Sequence, residues 1–180
     1  MVGTKNNRRT QYTQQRLRAA LIQLLQSEPL EKITVTRLCA VADINRGTFY
    51  AHYQDPRDLF QTVERDLVAT IAPMIGGPDG ELTGWLPDVL EVIRREEAAT
   101  QIIIRNLSDS PLLQTILDPI RTRTMAEYQR WFDEDDPAVL AYYFEFCLSG
   151  AVHVITTWLR SGAKETPLQI ATVIGNMAPG

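Results

Sequence analysis

A chain of 180 residues with a formal net charge of −4, of which 44% are hydrophobic and 22% charged, has the makeup of a folded globular protein. It is long enough for one ordinary domain or two small ones, and it has no long polar or repetitive tract of the kind that stays unfolded. The overall acidity argues against an indiscriminate nucleic-acid binder, but residues 1–60 hold nine basic against five acidic residues and residues 61–180 hold nine against seventeen, so the N-terminal third suits an anionic partner.

Taken in chain order, Leu17, Ala20, Leu21, Leu24 and Leu25 recur at three and four, which predicts a helix over about 10–26 with one buried stripe. Pro29 stops it. Thr34 is a natural N-cap, and Ile33 and Leu38 stand where a hydrophobic staple needs them, so a second helix runs from Val35 to about Ala42. Asp43 tolerates the left-handed backbone of a sharp turn. Asn45 then caps a third short helix, about 46–52, which completes a helix-turn-helix. Asp55, Pro56 and Asp58 supply a cap, a first-turn proline and a back-bonding carboxylate for a long helix to about Ile75, bent at Pro73. After the break at residues 76–80, helices are predicted over 82–97, 98–106, 110–132, 137–161 and 166–177. No segment alternates as a strand does, so the chain reads as all-α.

Gly47 is the odd residue in this scheme, because glycine in a helix costs about 1 kcal/mol relative to alanine. On a helical wheel Phe49 and Tyr53 share one side as inward anchors. Gly47 and Ala51 fall opposite, flanked by Thr48 and Tyr50. A bare strip edged with hydroxyl groups suits entry into a DNA major groove, with bases approached at the centre and phosphates at the rim. Arg46 in the first turn has the fork that pairs with guanine. The plainer alternative is that Gly47 permits close helix packing.

Residues 33–60, ITVTRLCAVADINRGTFYAHYQDPRDLF, resemble the DNA-binding signature of the TetR/AcrR family of bacterial transcriptional regulators. The match rests on Ile33-Thr34-Val35, Leu38, Ala42, Gly47-Thr48-Phe49-Tyr50, His52-Tyr53 and Asp58-Leu59. The resemblance implies an N-terminal three-helix helix-turn-helix domain, taken as residues 1–57, and a C-terminal helical domain for effector binding and dimerisation, residues 58–180. It implies that Thr36, Tyr50 and His52 hold phosphates and that Asn45, Arg46, Gly47 and Thr48 face bases. Two positions depart from the pattern. Asp43 stands where the family commonly has glycine, and Pro56 where it commonly has lysine, leaving Arg57 to supply the phosphate contact. A helical interaction module that keeps the fold but binds DNA weakly is the alternative that Pro56 motivates.

Further along, residues 137–159 approach the length of a membrane-spanning helix, about 20 residues. Glu145 and His153 near its middle oppose insertion. The expectation is a helix with one side in its own core and another against a second copy, a homodimer through residues 137–177 with His153 in the core, and no membrane. Some members of the family activate, and the C-terminal segment also has a faint likeness to regulators of sugar-kinase type operons, including ones that work with a partner protein. Trp85, Ile103, Met125, Tyr128, Trp131 and Phe144 are candidates to line a small-molecule effector pocket, or to be plain core. Cys39 and Cys147 lie far apart with no metal-ligand spacing, and they read as buried free thiols. No hydrolase, zinc or phosphate-loop motif is present, so neither an enzyme nor a metal or other cofactor is expected. With no secretory run at the start, a cytoplasmic location is expected.

Overall fold

A computed structural model describes residues 3–76, 81–97, 99–100, 104 and 111–177, and all the regular elements among them are helical. Helix α1, Gly3–Leu25, begins seven residues earlier than the apolar stripe requires, since no proline interrupts the polar residues ahead of Thr10. The stripe itself is buried at Leu17, Ala20, Leu21 and Leu24. A 3-10 turn, Leu30–Lys32, follows Pro29.

Helix α2, Val35–Ala42, has the expected bounds: Thr34 is extended and its side chain accepts from the Arg37 amide at 3.3 Å. Ile33 and Leu38 are both buried beneath it. Asp43 takes the left-handed conformation, φ 55° and ψ 45°, and turns the chain. Helix α3, Arg46–Tyr50, ends two residues sooner than expected, with Asn45 accepting from the Thr48 amide at 2.7 Å. Helix α4, Pro56–Ile71, opens with Asp55 accepting from the Asp58 amide at 2.9 Å. The Asp58 carboxylate reaches back one residue past the cap, to the Gln54 amide at 2.9 Å. Instead of bending at Pro73, the α-helix stops and tightens into a 3-10 turn, Ala72–Met74. Proline has no amide to donate, and its ring clashes with the carbonyl four residues back.

Two compact units result, residues 1–66 and residues 67–180. In the first, α1 packs on α2 and α2 on α3. The second holds helices α5, Leu82–Arg95, α6, Pro111–Phe132, α7, Pro137–Arg160, and α8, Pro167–Met177. Helix α5 packs along α8, α6 on α7, and α7 on α8. The cap-plus-proline starts are present at both late helices: Asp136 accepts from the Ala138 amide at 2.8 Å. Thr166 and Gln169 cap one another, with Thr166 accepting from the Gln169 amide at 3.2 Å and donating its own amide to the Gln169 side chain at 2.8 Å. The helix expected at 98–106 lies for the most part outside the described residues.

The α7–α8 corner shows how a short connection is held. Gly162, φ 85°, and Ala163, φ 47°, are both left-handed. The indole of Trp158, 2% exposed, donates to the Glu165 carbonyl at 3.0 Å across that turn. His153 departs from expectation: on α7 it is exposed rather than in the core, on the same side of the helix as Tyr142 and Phe146. Trp158→Phe removes the indole donor that ties α7 to the Glu165 carbonyl. Urea unfolding of this variant is expected to show a loss of about 0.5–1.5 kcal/mol with an unchanged m-value.

Candidate nucleic-acid interface

The third helix is too short to be stable alone, so its orientation comes from what it buries. Phe49 is wholly buried, and Tyr53 just beyond the helix is 7% exposed. Their rings lie 5.8 Å apart, and Tyr50 sets its edge against Phe49 at 5.5 Å while remaining 60% exposed. With that side fixed inward, Asn45, Arg46, Gly47 and Ala51 are all solvent-exposed, and Thr48 is half-buried.

Gly47 meets almost nothing of the protein. A Cβ built on it would touch only the Asn45 side-chain oxygen, at 3.4 Å, an ordinary contact distance. Close packing therefore does not account for this glycine. Asn45 spends its oxygen on the Thr48 amide, which leaves its NH2 group as the one free to meet an acceptor outside.

The remaining candidates sit around this helix with different engagements. Thr36 is exposed in the first turn of α2, and His52 is half-buried with its ring 6.3 Å from Tyr53. Pro56 is buried at the start of α4 and offers no amide, while Arg57 beside it is exposed and 3.4 Å from the Glu31 carboxylate. A pair that open to water contributes well under 1 kcal/mol, so Arg57 can exchange Glu31 for a phosphate at little cost. Cys39 lies beneath this surface: burial pushes its thiol up, with the Arg46 cation opposing, so it is not a reactive thiolate.

Sequence patterns did not single out Arg16, which the structure places at the corner of the motif. Its Nε donates to the Ala42 carbonyl at 2.9 Å, its guanidinium stands 3.8 Å from the Asp43 carboxylate, and it lies 5.9 Å over the Tyr12 ring. A cation on the last carbonyls of a helix satisfies one orphan acceptor and complements the dipole. Only the position of an arginine 26 residues before that carbonyl hinted at this, and such a separation has no periodic signature. Arg37 is similarly tied, 2.9 Å from the largely buried Glu28 carboxylate.

Of the six residues expected to line an effector pocket, the structure brings three together. Tyr128 and Phe144 are buried with Leu140 between α6 and α7, and Met125 packs against them. Trp85 is buried on α5, whereas Trp131 is 60% exposed. Ile103 lies outside the described residues. Cys147 is half-buried beside this cluster rather than fully enclosed. Among the described residues no group of three or more His, Cys, Asp or Glu is arranged to hold a metal.

Comparison with known proteins extends these observations. The family model for the transcriptional regulator C-terminal region of TetR type matches residues 81–180. A TetR transcriptional regulator from Streptococcus agalactiae 2603V aligns over 97% of this chain and 98% of its own, with TM-score 0.59 and 24% identity. The fatty acid degradation regulator FadR from Bacillus halodurans aligns over 93% and 95%, with TM-score 0.57 and 14% identity. A TetR-family regulator from Streptomyces coelicolor aligns over 91% and 77%, with TM-score 0.51 and 17% identity. At these identities the likeness is one of fold. No curated protein matches the sequence.

Gly47→Leu tests the packing argument directly. Its Cβ has room, and leaving glycine recovers helix propensity of up to about 1 kcal/mol. The expected result is a thermal midpoint at or slightly above that of the parent, measured by circular dichroism; a drop of more than about 2 kcal/mol in stability, the cost of overpacking, contradicts it.

Proposed function

This chain belongs to the TetR family of transcriptional regulators, and from that premise we propose that it is a homodimeric, ligand-responsive repressor that binds a pseudo-palindromic operator through the major groove. Residues 1–57 are assigned to DNA binding and residues 58–180 to effector binding and dimerisation, in the cytoplasm. The family consists of regulators rather than enzymes.

The observation that carries the DNA-binding reading is the uncovered Gly47–Ala51 strip, exposed to solvent and not used for packing. Asn45, Arg46, Gly47 and Thr48 are assigned to base edges, and Thr36, Tyr50, His52 and Arg57 to phosphates. The dimer reading is supported by an apolar face on the last two helices that the single chain leaves open. Tyr142 is 76% exposed, Phe146 79% and Met177 80%, and Leu168 and Val173 are exposed too. Gly150, one turn beyond Phe146, has nothing within 4 Å of a built Cβ, so a second helix can approach closely there. Helix α7 is also long and apolar enough to cross a membrane by length and composition. Its ionic contact between Glu145 and Arg121 at 3.1 Å favours an aqueous setting. A two-fold pairing of this face would present two α3 helices for half-sites about 34 Å apart. An effector then acts by favouring a dimer whose recognition helices no longer match that spacing.

Gel shifts on DNA from upstream of its own gene test the main claim. The parent is expected to bind its operator at least 1,000-fold more tightly than unrelated DNA, and Gly47→Leu to lose that margin. Arg57→Gln should weaken binding to all sequences alike and reduce the slope of log K against log salt by about one. Binding no tighter than nonspecific at low salt supports the alternative, a helical interaction module or co-regulator that keeps the fold.

Phe146→Glu places a charge in the centre of the open face. Sedimentation is expected to show a dimer for the parent and a monomer for this variant, and the variant should lose operator binding while its helical content is unchanged. A parent that stays monomeric at micromolar concentration overturns the dimer.

A further inference from the structure

Between α6 and α7 two hydrogen-bond donors are turned inward, one with only a thiol beside it and the other without a partner. The Tyr128 side chain is 1% exposed, and its hydroxyl has no hydrogen-bond partner of good geometry among the described residues. Burial first, and a side-chain hydrogen bond to the Cys147 sulfur second, push its ionisation far above the usual phenol range, so the hydroxyl stays protonated, a donor whose one near acceptor is a weak one. Arg121, seven residues earlier on the same face of α6, is similar. Its Nε is buried and unpartnered, while its terminal nitrogen holds the Glu145 carboxylate at 3.1 Å and its guanidinium lies 4.8 Å over the buried Phe144 ring.

An unmade hydrogen bond at such a donor costs roughly 1–3 kcal/mol, more for a charged one. Tyr128 shares one cluster with Leu140 and Phe144, with Ile120, Met125 and Leu148 packed against it, and Arg121 lies over the Phe144 ring of that cluster, so what this site lacks is a strong acceptor. Because one donor is a guanidinium and the other a neutral hydroxyl, the matching group is an oxyanion. The apolar surroundings require that it be carried on an apolar body.

We propose that the effector is a small organic acid whose carboxylate accepts from Arg121 Nε and the Tyr128 hydroxyl while its hydrocarbon body lies against Phe144, Met125 and Leu140. The inference rests on the proposed ligand-responsive role and concerns only the chemistry of its ligand.

The test uses the full chain with straight-chain carboxylates from butanoate to decanoate, benzoate and phenylacetate, each beside the alcohol of the same skeleton, at constant ionic strength. Thermal midpoint and calorimetric affinity are read for the parent, Tyr128→Phe and Arg121→Met. At least one acid is expected to bind tenfold or more tightly than its alcohol. Each variant should lose at least tenfold of that preference, and Tyr128→Phe should leave the unliganded midpoint at or above that of the parent because the buried hydroxyl it deletes has only a weak sulfur acceptor. Acids and alcohols that bind equally, no acid that binds, or a Tyr128→Phe variant with undiminished preference would each overturn the assignment. Operator gel shifts on the same samples separate the two levels: an acid that binds at these residues without changing operator affinity upholds the site and sinks the ligand-responsive reading. Unchanged operator binding with no acid bound does the reverse for the site alone.

Discussion

Burial of the Phe49 ring fixes the rotation of α3 about its axis, and the character of the outward surface follows from that rotation. A five-residue helix has almost no stability of its own. With Phe49 sealed and Tyr53 beside it, the opposite side of the helix is dictated: Gly47 and Ala51 must face out. The turn before α3 is held with equal economy. Asp43 accepts a left-handed backbone, and Arg16 from α1 clamps the carbonyl just ahead of it. The turn between α2 and α3 is thus held in part by a side chain from α1.

In the second unit the logic is inverted, since the informative side chains are large ones left uncovered. A single-chain protein rarely shows a contiguous apolar patch without a use for it. Tyr142 and Phe146 protrude from α7 at a four-residue spacing, and α8 adds Leu168, Val173 and Met177. On the other flank of α7, Leu140 and Phe144 are buried against α6. One helix therefore buries one apolar flank and leaves another open within the single chain, which accounts for a sequence that is hydrophobic nearly all round.

The motif was legible in the sequence because its signals are local. Thr34, Asn45, Asp55 and Asp136 announce helix starts within three residues of the amides they cap, and the bounds of α2 follow from such signals alone. What the sequence concealed depends on distant partners. Arg16 reaches a carbonyl 26 residues away, and Arg57 meets Glu31 across a similar gap. His153 misleads for a related reason: an apolar helix suggests a core histidine, but the side it occupies is uncovered within one chain. The effector candidates were chosen by residue type, which finds large apolar side chains but cannot sort them by location. Met125, Tyr128 and Phe144 converge, whereas Trp131 points to solvent. Arg121 carries no signal in the sequence as a core-lining residue, and its importance emerges only from the ring beside it and its unpartnered nitrogen.

The two cysteines give this molecule an internal clock. Cys39 is sealed in the helix-turn-helix core at 5% exposure, and its burial disfavours the thiolate that alkylating reagents attack. It becomes reactive only when that unit opens, so slow labelling at this sulfur times the breathing of the helix-turn-helix half. Cys147, half-buried in the other unit, reacts on its own schedule. A single mass-spectrometric time course thus reads the local openings of both halves in one unmodified chain.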